Sequence, residues 1–159
     1  MTTLDKQLEI EHFCLNAIAE MVDFLRFKYD YDFNVKVKLD FSNRRTRSWG
    51  GRRNGNNFIS LSLKKYLTAS ENNRRVDFVE YATFNDHRTI GGIYYAHWKN
   101  ALLGLIAHEL AHAAQFSDVG VNVAAGNKYD SRDSRGHGVV WKKIYTGLRI
   151  NFVNNVEPF

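Results

Sequence analysis

Cysteine, proline and long apolar runs are scarce in this sequence, and each scarcity removes a class of protein. One cysteine, Cys14, stands among 159 residues, so the chain forms no intramolecular disulfide and no zinc ribbon built from cysteine pairs. The one proline, Pro158, lies at the tail. No proline-rich linker divides the chain, and it holds no internal repeat or low-complexity tract. Asp5, Glu9, Glu11 and Glu20 interrupt the apolar positions of the opening stretch, which excludes the continuous hydrophobic run of a signal peptide or membrane span there. The expectation is an intracellular, cytoplasmic protein.

What is present describes a chain that folds by burial. Hydrophobic residues make up 44%, aromatics 14% and charged residues 25%, well outside the low-hydrophobicity regime of disorder. The length suits one domain spanning residues 1–159 rather than two. A formal charge of +5 permits attraction to phosphate backbones without requiring it.

Periodicity predicts an α+β order. Leu4, Leu8, Leu15, Ile18, Val22 and Leu25 recur at helical spacing and predict a long first helix over residues 3–28, with Cys14 and Met21 packing. "DFNVKVKLDF" alternates Phe33, Val35, Val37, Leu39 and Phe41 against polar residues, the period of a half-buried strand. Gly50, Gly51 and Asn54-Gly55 punctuate the next stretch, and Ile59, Leu61 and Leu63 then alternate with Phe58, Ser60 and Ser62, which predicts an antiparallel hairpin. Two further strands are expected in "RRVDFVEYATFND" and "RTIGGIYYA" across a turn near Asn85 and Asp86. A buried central helix is expected from Tyr95 to Phe116, and a long loop over 117–136. A final helix closes the chain, with Val140, Trp141, Ile144, Tyr145 and Leu148 inward and Lys142, Lys143 and Arg149 on a cationic outer side.

The central helix carries "HELAH", residues 108–112. With His108 as zero, Glu109 lies at about 100° and His112 at about 40°, so all three point from one side of an α-helix. Buried without partners, such groups cost roughly 1–3 kcal/mol each. A metal ion removes that objection, because neutral imidazoles ligate zinc and a neighbouring carboxylate activates water. The plain alternative is a chance HExxH on a solvated helix face.

A catalytic zinc uses three protein ligands and keeps a position open, so a third ligand must lie downstream. Gln115 and Asp118 stand where the metzincin pattern places glycine and histidine; Asp118 remains a conceivable oxygen ligand. His137, between Gly136 and Gly138 at the mouth of the last helix, is the better candidate, because glycines leave room for close approach. His12, His87 and His97 are expected to be solvated or hydrogen bonded.

"HELAH" followed by "GHGVVW", and preceded by a glycine-rich hairpin ending in "FISLSLKKYL", resembles the Spartan-related, SprT-like zinc metalloproteases over about residues 10–149. The resemblance implies a small zincin-like α+β domain: a long N-terminal helix, a small antiparallel sheet, a central metal-binding helix and a C-terminal helix. It further implies Zn2+ on His108, His112 and His137, Glu109 as catalytic base, and cleavage of proteins bound or crosslinked to DNA. The chain departs from the family's pattern in a long stretch between Leu67 and His108, in the 24 residues between His112 and His137, and in having no cysteine ribbon.

The expected reaction is metal-assisted hydrolysis of a protein amide bond, with Glu109 taking a proton from water and passing one to the leaving amine. Tyr94, Tyr95, Arg135 and Tyr145 are weak candidates for stabilising the oxyanion. Arg44, Arg45, Arg47, Arg52 and Arg53 crowd Trp49, with Lys64, Lys65, Arg74 and Arg75 nearby. That mixture suits single-stranded DNA, or is simply a solvated basic face. Two other readings compete: a non-catalytic nucleic-acid- or protein-binding module stabilised by zinc, and a zinc hydrolase acting on a small amide or cell-wall peptide.

Overall fold

The computed structural model describes residues 2–42, 47–81, 92–124 and 136–153. Helix α1 (Thr3–Tyr29) starts at a capping box in which the Thr2 hydroxyl accepts from the Asp5 amide and the Asp5 carboxylate accepts from the Thr2 amide. Together these satisfy two donors left over at a helix start. The helix buries Ile10, Cys14, Ala17, Ile18, Met21, Val22 and Leu25. Leu4, Leu8 and Leu15, expected in the core, are exposed. They form a second apolar stripe about a quarter turn away from the buried one.

Strands β1 (Lys36–Asp40), β2 (Trp49–Arg53) and β3 (Asn56–Ser62) form one sheet in the order β1-β3-β2. The β2–β3 hairpin is antiparallel and turns at Asn54 and Gly55, both at positive φ, the signature of a tight twisted turn. Gly50 and Gly51, expected as turn residues, lie within β2. Ile59 and Leu61 of β3, with Leu63 just beyond it, are fully buried. The sheet is mixed rather than antiparallel, because β1 runs parallel to β3. The hairpin places β3 between β1 and β2, running in β1's direction. Strand alternation reports which face is buried and carries no information on neighbour or direction.

Helix α2 (Lys64–Glu71) follows immediately, burying Tyr66, Leu67, Ala69 and Ser70. This helix is not expected from the sequence: Leu63 occupies the cap without a side-chain hydrogen bond, so no polar start signal exists. The two further strands expected are present as β4 (Arg75–Tyr81) and β5 (Gly92–His97), which pair antiparallel; the turn expected near Asn85 and Asp86, with His87, lies outside the described residues.

Helix α3 (Trp98–Gln115) is the centre of the molecule, touching both sheets, α1 and α2. It begins three residues later than expected, because Tyr95 to His97 complete β5 and the His97 Nδ1 caps the Lys99 amide at 3.3 Å. The loop expected after it is helical over α4 (Asp118–Ala124), which buries Val119 and Val123 one turn apart. Residues 125–135 lie outside the described ones.

Helix α5 (Val139–Leu148) buries the five residues expected to face inward. A π-helical turn (Arg149–Val153) continues it, and Arg149 is buried rather than part of a cationic outer side. Bonds from i to i+5 break the 3.6-residue period, so the face projected from α5 no longer applies past Leu148. Among the described residues no helix is long and apolar enough to cross a membrane.

Candidate metal centre

His108 and His112 leave α3 one turn apart, and His137 reaches them from the turn before α5. The His137 Nε2 lies 3.2 Å from the Nε2 of His112 and 3.2 Å from the Nε2 of His108. Three ring nitrogens thus converge, and among the described residues this trio is the group that could hold a metal ion. A tetrahedral ion with Zn–N bonds of about 2.0–2.1 Å requires nitrogens about 3.3 Å apart. Both separations from His137 match that spacing, and all three ligand atoms lie within 4.8 Å of one another. Hydrogen bonding alone accounts for the cluster poorly, because one ring nitrogen of His137 cannot donate a single proton to two neighbours.

The surroundings keep the rings in ligand form. Burial lowers the His112 pKa to about 4, against a raising hydrogen bond from Gln115, and burial with the nearby Lys142 charge lowers that of His137. Neutral imidazole is the form that binds metal. The His112 Nδ1 lies 3.1 Å from the Oε1 of buried Gln115. With Oε1 accepting from Nδ1–H, the lone pair is left on Nε2, facing the other two rings.

Trp141 forms one wall. Its indole Nε1 donates to the His108 carbonyl at 3.2 Å, and its ring centroid lies 4.9 Å from His108, 5.3 Å from His112 and 4.5 Å from His137. Tyr145 stacks on the indole at 4.7 Å and 8° and is fully buried. Opposite it, Phe78 of β4 meets His108 edge-on, with ring centroids 6.0 Å apart.

Glu109 projects beside the trio, its Oε1 3.8 Å from the His108 Nε2, and is only 6% exposed. Burial raises its pKa to about 8, so with no cation nearby the carboxyl holds its proton at neutral pH. A divalent cation at the three nitrogens reverses that balance. Strand β2 crosses α3 at this residue, and only a glycine fits there: a Cβ on Gly50 would fall 2.0 Å from the Glu109 carbonyl oxygen.

The other candidates separate. Asp118 is exposed at the start of α4 and is not part of the cluster. Tyr95 lines a different cleft, between α2 and β4, while Tyr145 packs as the second layer of the Trp141 wall. Arg135 lies outside the described residues, and Tyr94 is placed only by its backbone pairing with Phe78. His97 is hydrogen bonded to Asn73 at 2.6 Å, and His12 is exposed. Gln115, Trp141 and Gly50 are not among the site residues expected from the sequence. Their signals were present: a polar residue three after His112, and an aromatic one turn after His137.

Fold and site together define an α+β domain with a three-histidine centre able to hold a metal ion. Comparisons with protein-family models, curated proteins and solved structures returned no match.

Proposed function

We propose that the chain is an intracellular zinc metallopeptidase of zincin-like, SprT type, one catalytic domain hydrolysing amide bonds in proteins. The observation that carries the reading is the convergence of three imidazoles, with the His137 Nε2 3.2 Å from those of His108 and His112, beside a buried carboxyl outside the trio. Three imidazoles and an open corner are the donor set of catalytic zinc. When bound, the ion supplies Lewis-acid polarisation of a carbonyl and lowers the pKa of water.

The chain's own groups supply the rest. His108, His112 and His137 fix the ion's place; Gln115 and Trp141 fix the rings. Glu109 takes the proton from water and returns one to the leaving nitrogen. Edge strand β2, packed on α3 at Gly50, borders the site, and among the described residues no strand pairs with its outer side. In purified protein loaded with zinc, Glu109→Gln is expected to keep the metal and abolish cleavage of an unfolded protein substrate. Wild type that cleaves nothing, with or without DNA, sinks the reading.

One observation favours the alternative of a zinc-stabilised binding module. The Trp141–His108 hydrogen bond already ties α5 to α3 where an ion would join them, so metal there has a structural use. Single-stranded DNA is the proposed nucleic-acid partner, at the basic hairpin near Arg44–Arg53. Trp49 is 43% exposed there, and the Arg53 guanidinium stands 5.9 Å from its ring centroid; Arg44 and Arg45 lie outside the described residues. Affinity that falls steeply with salt supports this contact, and affinity indifferent to salt removes it.

A further inference from the structure

The β4–β5 ribbon has two unlike faces. Arg75 pairs with His97 and Asp77 with Tyr95, so alternation puts these four on one side, while Phe78 and Ala96 are buried on the other. The outer side and helix α2 enclose a cleft of 620 Å³ lined by Lys65, Thr68, Arg74, Arg75, Asp77 and Tyr95, among others. Among the described lining residues three cations meet one carboxylate. Lys65 pairs with Asp77, its Nζ 3.9 Å from Oδ1 and also donating to the Asp77 backbone carbonyl. The described lining therefore carries an excess of positive charge.

Beside this charge stands an aromatic plane. Tyr95 is 52% exposed, and the Arg75 guanidinium is 5.8 Å from its ring centroid. A half-exposed ring on a rigid strand next to two guanidiniums matches a ligand that is anionic at one end and flat at the other. Aromatic side chains stack bases irrespective of sequence, and arginine forks match phosphate oxygens. We propose that this cleft binds a nucleotide, with its phosphate on Arg74 and Arg75 and its heterocycle on Tyr95, and with the exposed Thr68 hydroxyl within the same cleft. A free mononucleotide and the terminal nucleotide of a single strand share this chemistry. The cleft lies across the ribbon from the face that meets His108 through Phe78, so the inference stands whether or not the chain is a peptidase.

Calorimetric titration of the whole chain at low salt tests it, with adenosine monophosphate, inorganic phosphate and a short phosphorylated oligodeoxyadenylate as probes. At least one nucleotide probe is expected to bind about tenfold or more tightly than phosphate, and Tyr95→Ala and Arg74→Ala each to lose about tenfold of that affinity. Both side chains are exposed, so unchanged melting temperatures accompany the loss. Oligonucleotide binding well above that of the mononucleotide, lost in the same variants, assigns a strand end; comparable binding assigns the free nucleotide. Nucleotide affinities no greater than that of phosphate, or unchanged in both variants, overturn the proposal.

Discussion

Gly50 and Glu109 are in backbone contact: the position a Cβ would take on Gly50 is 2.0 Å from the Glu109 carbonyl oxygen. The edge strand and the metal helix are thus locked at the residue assigned the proton transfer. A methyl group on Gly50 must push β2 away, because its obstacle is main chain. Gly50→Ala is expected to cost about 1–3 kcal/mol or more, seen as a fall of roughly 2–4 °C in Tm per kcal/mol. Gly55→Ala is the control, since nothing lies within 4 Å and only its φ of +78° opposes a side chain. It is expected to cost about 1 kcal/mol. Equal melting of the Gly50 variant and wild type contradicts the packing.

The ligand assignment predicts a selective loss of metal. His137→Ala removes one of three nitrogens and is expected to lower bound metal, measured by elemental analysis after gel filtration, to a small fraction of the wild-type content. Asp118→Ala leaves it unchanged. The reverse pattern transfers the third position to the carboxylate.

In the proposed centre, Gln115 acts on the metal through His112. Gln115→Leu keeps the bulk but removes the acceptor, and it is expected to weaken metal affinity about 10–100-fold. Competition with a chromophoric chelator measures this. Unaltered affinity means the 3.1 Å contact positions nothing.

With the ion stripped, the site predicts a stability profile. Glu109 is raised from 4.5 to about 8 by burial, so the folded state binds the proton more tightly than the unfolded one. Its contribution is full below pH 4.5 and is lost as pH rises to about 8. His112 runs the other way: lowered from 6.5 to about 4, it contributes fully above pH 6.5 and loses that contribution as pH falls to about 4. Between pH 6.5 and about 8 the Glu109 loss acts without the His112 change. Denaturant unfolding of the apo chain should show declining stability across that window, and Glu109→Gln should flatten it. An unchanged slope in the variant refutes the assignment.

The parts legible in the sequence were those fixed by short periods. Ile59, Leu61 and Leu63, and the inner face of α5 from Val140 to Leu148, lie where alternation and helical spacing put them. One turn of helix brings His108 and His112 together, and the fold brings His137 to them. Long-range choices were not legible. The exposed stripe of Leu4, Leu8 and Leu15 is as periodic as the buried one, and only the neighbours of α1 decide between them. The direction of β1 depends on a crossover, and the burial of Arg149 on a π turn, neither of which leaves a compositional mark. Gly50 reads as punctuation, yet it is a close approach to backbone at Glu109, and Gly120 makes another at Gln115.

Trp141 has its indole against all three imidazoles and its N–H on the His108 carbonyl. That position makes the centre self-reporting: of the three tryptophans, Trp141 is the one whose emission is coupled to whatever occupies the space between the rings. Occupancy, exchange between ions and the rate of loading are therefore expected in its share of the emission of the unlabelled chain, with Trp141→Phe giving the background from Trp49 and Trp98.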